Sequence, residues 1–249
     1  MRILFSALIA VLLAGPVQAA TFTAQSESDN RGAQHWDLTG IYRAEIFRQS
    51  LAAVGTPTLV GMPQAVPQGI LDSLSFTTSP EVERATRQKL LASVLEVVEG
   101  DRLEEEIRLT VRSDDLWRQF TAVAEQAGLS IYNMADVTAA TYLIAWQVLN
   151  SNDSSAGAGA AAIRAVRDSI ASGMALQGQV PRMSAPEKQQ AASVMAYMVT
   201  IAANSVNELH RSGNEDALAR LREHLHAVFL SVGVDLDRLR LTEQGFVER

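Results

Sequence analysis

The sequence predicts an all-α fold, a bundle of about six helices preceded by a loosely structured N-terminal arm. Three observations carry it. From residue 79 onward, apolar residues recur at helical spacing in stretches opened by Ser, Asn or Asp and closed by Gly, the punctuation of capped helices. One of these stretches, Met134 to Leu149, is apolar nearly all round, as a helix in the middle of a bundle has to be. Before residue 79 the chain is instead rich in Ser, Thr, Gly, Gln and Pro, with Pro57, Pro63 and Pro67 too closely spaced for a regular element.

The first residues read as a cleavable export signal. Met1 and Arg2 make a positive start, Ile3 to Ala14 an apolar run relieved only by Ser6, and Gly15 and Pro16 a break. Small residues then stand where a signal peptidase reads them, so cleavage is expected between Ala19 and Ala20. The run falls short of the roughly 20 apolar residues that a membrane span needs. No later segment replaces it, and no stable membrane anchor is expected after cleavage. The expected organisation is therefore a signal over 1–19, an arm over 20–78 and a helical domain over 79–249. Within the arm, Ile46, Phe47, Leu51 and Val54 recur near helical spacing, which suits a short helix between Tyr42 and Val54 or an extended segment docked on the core.

Each domain helix has its own markers. Ser79 caps, Pro80 takes the first turn, and Glu81 and Glu83 sit where the helix dipole favours acid; Leu91, Val94, Leu95 and Val98 follow until Gly100. The charged stretch Asp101 to Arg112 reads as helical in part. Ser113, Asp114 and Asp115 open the next helix, with Leu116, Phe120, Val123 and Ala124 on one face and Gly128 beyond it. Asn133 and Asp136 resemble a capping box in front of the apolar helix 134–149. An Ala-rich helix carrying Ile163, Val166 and Ile170 is expected to stop at Gly173, with a loop from Gln177 to Met183.

Ser184 and Glu187 form the clearest capping box in the chain. The helix behind them runs to Gly213 with Ala191, Met195, Met198, Ala202, Val206 and Leu209 on one face, and it is the longest expected. Asn214 caps the last helix, with Leu218, Leu221, Leu225 and Val228 inward and Gly233 as its stop. The tail 234–249 is expected to fold back on the bundle.

Composition narrows the function classes. Loss of Arg2 with the signal takes the formal charge from −7 to −8, which disfavours nucleic acid and anionic membrane surfaces as partners. The chain has no Cys, which removes disulfides, thiolate nucleophiles and Cys-based zinc sites together. Stability then has to come from packing, for which 47% hydrophobic residues suffice.

Gly128-Leu129 with Asn133, Ala135-Asp136-Val137, Thr138 and Ala145-Trp146, then Ser184 to Gln189, then Leu241 to Phe246, resemble an uncharacterised family of exported bacterial proteins known only as a domain of unknown function. The likeness spans roughly residues 80–247. It implies an exported bacterial helical domain and supplies no activity, cofactor or site residue.

No reactive constellation emerges from spacing. Glu223 and His226 have the i, i+3 spacing of carboxylate-bridged di-iron bundles, but the second Glu-x-x-His that such a site needs is absent. His224 and His226 point apart on a helix and cannot chelate one ion together. His210 suits a helix end, and His35 has no identifiable partner. Gly157 to Ala162 match a dinucleotide fingerprint in letters only, since no strand precedes them. Glu104, Glu105 and Glu106 read as a solvated face, and Asp235 and Asp237 as partners of Arg238 and Arg240. Asn152 to Ser154 match a glycosylation sequon that a bacterial protein leaves idle.

The leading functional expectation is a non-enzymatic, exported binding module of the cell envelope, periplasmic or secreted, with an unidentified protein or a second copy as partner. No catalytic, cofactor-binding or metal-ligating residue is assigned. One alternative is a carrier of a small apolar ligand lined by Tyr142, Trp146, Met195 and Met198. The other is an enzyme whose groups converge only in three dimensions.

Overall fold

The computed structural model describes residues 38–57, 59–60, 67–150 and 159–249, with side-chain burial from residue 41 onward. The expected signal with Ala19 and Ala20, His35, the sequon and the first two residues of the Ala/Gly fingerprint, Gly157 and Ala158, lie outside the described residues.

The fold is all-α. A 3-10 turn, Leu38–Arg43, leads into α1 (Glu45–Ala53), α2 (Gln68–Asp72), α3 (Pro80–Leu95), α4 (Asp101–Arg112), α5 (Asp115–Gln126), α6 (Met134–Leu149), α7 (Ala160–Gln177), α8 (Gln179–Arg182), α9 (Ala185–Ser212) and α10 (Glu215–Ser231). A second 3-10 turn, Leu236–Arg238, precedes β1 (Leu239–Thr242) and β2 (Gly245–Glu248), an antiparallel hairpin that pairs Leu241 with Phe246.

Helix α9 is the axis. Its 28 residues start on the expected capping box, where Ser184 accepts from the Glu187 amide while the Glu187 side chain reaches back to the Ser184 amide. The Ser184 hydroxyl, which donates to the Glu187 carboxylate at 2.7 Å, and then the Ser184 amide hold that carboxyl below its usual range. Every residue from Ala191 to Ala203 is buried, and α9 packs on α1, α3, α5, α6 and α10. Helix α6 lies against it and buries all but two of its 16 residues, including Tyr142 and Trp146. Each large side chain so buried contributes about 1.5–3 kcal/mol by transfer from water.

The expected helix within the arm is present and belongs to the core. Phe47 and Leu51 of α1 are fully buried, and the Phe47 ring meets Phe229 of α10 edge-on at 6.0 Å. Tyr42 donates to the Met198 carbonyl across 156 residues. Between residues 38 and 72, what composition marked as a loose arm therefore supplies apolar side chains that the bundle needs.

Four further differences separate the structure from the sequence reading. Helix α7 runs through Gly173 to Gln177, because Gly173 is buried in a helix packed on α6 and β2; the chain turns at Gly178, whose φ of 69° an L side chain resists. The expected loop 177–183 contains the single turn α8. Residues 101–112 are helical throughout. The tail folds back as expected but does so as a hairpin, with Leu239 and Leu241 inward at a strand period that the alternation of Leu with charge had already written. Gly245 (φ 96°) lets it touch α7, where a Cβ would stand 3.4 Å from Ala165 and Val166.

Asn133 caps α6 by accepting from Ala135 and Asp136, but Asp136 does not return the bond as a capping box requires. It accepts instead from the Ser130 amide at 2.9 Å and from Arg167 of α7 at 2.7 Å. No described helix is long and apolar enough to cross a membrane.

Candidate functional site

A cleft of about 330 Å³ opens between α1, α8 and the first turns of α9. Its apolar surface comes from Ile46 and Ala53 of α1, Met183 after α8, and Ala191 of α9. Gln49, Gln179, Gln190 and Glu187 add three amides and a carboxylate, and Ser50 a hydroxyl. The helical spacing of Ile46, Gln49, Ser50 and Ala53 puts all four on one side of α1. Ala53 and Ala191, with no side chain beyond Cβ, leave the space itself. Gln190 accepts from Lys89 at 2.9 Å, and Gln49 lies 3.4 Å from Glu45, so two of the amides already hold polar partners at the surface.

Beneath the neighbouring α3–α9 contact, Lys188 is buried and donates to the Ser73 carbonyl, which terminates the turn after α2. Burial lowers its pKa from the usual lysine range. Gln189, also buried, donates to the Ser79 carbonyl at 2.9 Å and accepts from its amide at 2.7 Å, tying the start of α3 to α9. These two side chains fix one end of the cleft wall.

The densest polar network lies where α3, α5 and α9 meet. Glu83 accepts from the Tyr197 hydroxyl, from Ser193 at 2.7 Å and from Arg87 at 3.0 Å. Arg87 also donates to Tyr197 at 2.8 Å, pairs with Asp114 at 2.6 Å, and lies 5.5 Å from the Tyr197 ring centroid. Burial first, and then Glu83, push the Tyr197 phenol far above its ordinary range. Burial works against the charge on Arg87, but the bonds to Asp114 and Glu83 outweigh it and keep the guanidinium protonated. With both Glu83 oxygens engaged and the phenol locked as a donor, this is a clamp between helices rather than a poised acid and base.

His226 faces two carboxylates, Asp235 at 3.0 Å from Nε2 and Asp237 at 3.6 Å from Nδ1, and its bond to Asp235 lowers that carboxyl's pKa. Arg238 joins Asp235 at 3.2 Å, as the sequence suggested. His210 lies 4.0 Å from Glu215 across the helix junction, and buried His224 Nδ1 has no partner among the described residues. Among the described residues no group of three or more His, Cys, Asp or Glu side chains is placed to hold a metal ion.

The four residues expected to line an apolar ligand site are all fully buried, and none of them borders the cleft. Trp146 donates to the Leu239 carbonyl at 2.9 Å and so pins the hairpin; Tyr142 stacks edge-on against Phe229 at 4.9 Å; Met195 and Met198 fill the middle of α9. They are brought together as core rather than as a pocket wall. Sequence reading missed the cleft and the clamp alike. Glu83 with Arg87 and Ser193 with Tyr197 each stand four residues apart, a visible signal in hindsight, but 110 residues separate the two pairs.

Comparison with known proteins gives one result for this architecture. The family of unknown function DUF6683 matches residues 50–249, beginning inside α1 and not at residue 80 as the likeness had suggested. No curated protein and no solved structure matches the chain.

Proposed function

The chain belongs to DUF6683, a family of unknown function, and we propose that it is a non-enzymatic, exported protein-binding module of the bacterial cell envelope whose cleft takes an extended peptide segment of its partner. The observation that carries this reading is the composition of the cleft. Glutamine amides both donate and accept, so Gln49, Gln179 and Gln190 match the alternating N–H and C=O groups of an extended backbone. The apolar strip of Ile46, Ala53, Met183 and Ala191 suits a small aliphatic side chain of the same segment, and Glu187 suits a Lys or Arg beside it. The Glu187 bonds to Ser184 keep that charge in place. The signal-like N-terminus supports export.

Site-specific photo-crosslinking in cells making the full precursor tests both halves. A photoreactive residue at Gln49 or Gln179 should give a discrete protein adduct that the same residue at exposed Glu223 does not, and Ala53→Trp should abolish it by filling the cleft. Equal labelling at all three positions, or none from the cleft, would overturn the reading. A co-purifying molecule of small mass in native mass spectrometry would instead favour a carrier. Export predicts a species shortened to begin at Ala20; a full-length, membrane-bound product would refute it.

A further inference from the structure

The chain has no cysteine, so the thioether of methionine is the softest group it offers to an oxidant. Burial sorts the methionines sharply. Met134, Met174, Met195 and Met198 keep 1% or less of their surface in water. Met183 is the one methionine among the described residues with partial exposure, and it borders the cleft between α1, α8 and α9. Its backbone is held on both sides: the Met183 amide donates to the Val180 carbonyl at 3.1 Å, and Ser184 next to it caps α9. The side chain therefore stays packed on the core along one flank and open to the cleft along the other.

Within the apolar strip of the cleft Met183 is the long, unbranched member; Ala53 and Ala191 end at Cβ, and Ile46 is buried. The contact that the strip offers an aliphatic side chain thus depends mostly on this thioether. Gain of one oxygen turns it into a sulfoxide, which is polar and chiral. Against an aliphatic partner group the new oxygen is left without a donor. Toward Gln49, Gln179 and Gln190, which line the same cleft, it competes for the amide N–H groups that the peptide reading gives to the partner's backbone. Both effects oppose binding.

We propose that Met183 is a reversible oxidation site that controls the cleft, its thioether admitting the partner's extended segment and its sulfoxide refusing it. The oxidant is a peroxide. The sulfur lone pair attacks one peroxide oxygen, the O–O bond breaks, the sulfur is oxidised by two electrons to S=O, and the other oxygen leaves as water. Return takes a thiol-driven enzyme of the methionine sulfoxide reductase class: two thiols are oxidised to a disulfide, and the sulfoxide oxygen departs as water. The inference rests on the peptide reading of the cleft, but the selectivity of the oxidation is measurable without any partner.

Peptide mapping of the chain beginning at Ala20, after graded exposure to hydrogen peroxide, tests the site. Met183 should gain oxygen about tenfold faster than Met134, Met174, Met195 or Met198, whose oxidation has to wait for local opening. Equal rates, or a resistant Met183, would overturn the proposal. The same chain with the photoreactive residue at Gln49 is then oxidised, freed of peroxide and irradiated in an envelope extract of untreated cells. Its discrete adduct should fall about tenfold, the penalty of one unpaired polar group in the contact, and return after treatment with sulfoxide reductase and thiol. Met183→Gln, with a fixed polar group of similar length, should show the lowered adduct without peroxide. In Met183→Leu, compared only with its own untreated sample, peroxide should change the adduct less than about twofold. Far-ultraviolet circular dichroism and melting of the oxidised chain should match those of the native one; a lowered melting curve would assign the loss to unfolding and overturn the proposal. An adduct indifferent to oxidation, or lost equally in Met183→Leu, would overturn this inference alone, whereas no adduct from the unoxidised chain would overturn the peptide reading with it.

Discussion

Tyr197 and Tyr142 sit on the two central helices, both with no exposed surface, yet their hydroxyls have opposite surroundings. At the α3–α5–α9 junction Tyr197 donates to Glu83 and accepts from Arg87, and both partners keep about one fifth of their side chains in water. Between α6 and α10 Tyr142 lies against Phe229, and its hydroxyl finds no partner among the described residues. A buried polar group is retained at little cost where a half-solvated charge can reach it. Deeper in, only the ring contributes, and the hydroxyl carries a desolvation cost of about 1–3 kcal/mol. The centre of the molecule is therefore packing, whereas its polar chemistry and its accessible surfaces lie at the periphery.

The largest test of that contrast is Phe229→Ala. Phe229 is fully buried and its ring touches both Tyr142 and Phe47, so its removal opens a cavity at the centre that α1, α6 and α10 share. A loss of about 3–5 kcal/mol of stability is expected, read as a lowered urea midpoint at unchanged slope. A loss under about 1.5 kcal/mol would mean that the centre relaxes freely and is not the tightly packed region described.

How much of this was legible follows the same division. The helices of the domain could be read because capping and apolar spacing are local: Ser79, Asn133, Ser184 and Asn214 cap where the sequence places them. Gly173 misled because its helix continues under tertiary packing, which no local signal reports. The hairpin was missed because two strands of four residues at the end of a helical chain look like a tail. The cleft was illegible for a different reason: Ile46 and Ala191 become neighbours only when α1 docks on α9, so no spacing encodes them. The apolar residues singled out as ligand lining were correctly placed in the interior, but the sequence cannot distinguish a filled interior from a hollow one.

Of intermediate size is Tyr197→Phe. The ring and its contact with Arg87 survive, but Glu83 loses one donor and Arg87 one acceptor. Ser193 and Arg87 still hold Glu83, and water can reach both charged groups, so the expected loss is about 1–2 kcal/mol rather than the cost of an isolated buried charge. The double variant with Ser193→Ala should lose more than the sum of the two single losses, because Glu83 is then left with Arg87 alone among these partners. Simple additivity would show that the hydroxyls bond Glu83 independently and that the clamp is not cooperative.

Tyr142→Phe should have the smallest effect and the opposite sign. It deletes a hydroxyl that has no partner and leaves the edge-on contact with Phe229 intact. Burial alone raises the Tyr142 phenol's pKa, with no hydrogen bond or charge contributing, in contrast to Tyr197. Removing an unsatisfied group of this kind is expected to be neutral or to stabilise by up to about 1 kcal/mol, measured by urea denaturation beside Tyr197→Phe. The same substitution on two equally buried tyrosines then gives changes of opposite sign, which separates hydrogen bonding from burial because burial is common to both. Destabilisation by more than about 1 kcal/mol at Tyr142 would show that its hydroxyl is bonded in solution, through a buried water held in the core, and would move polar chemistry into the centre of the bundle.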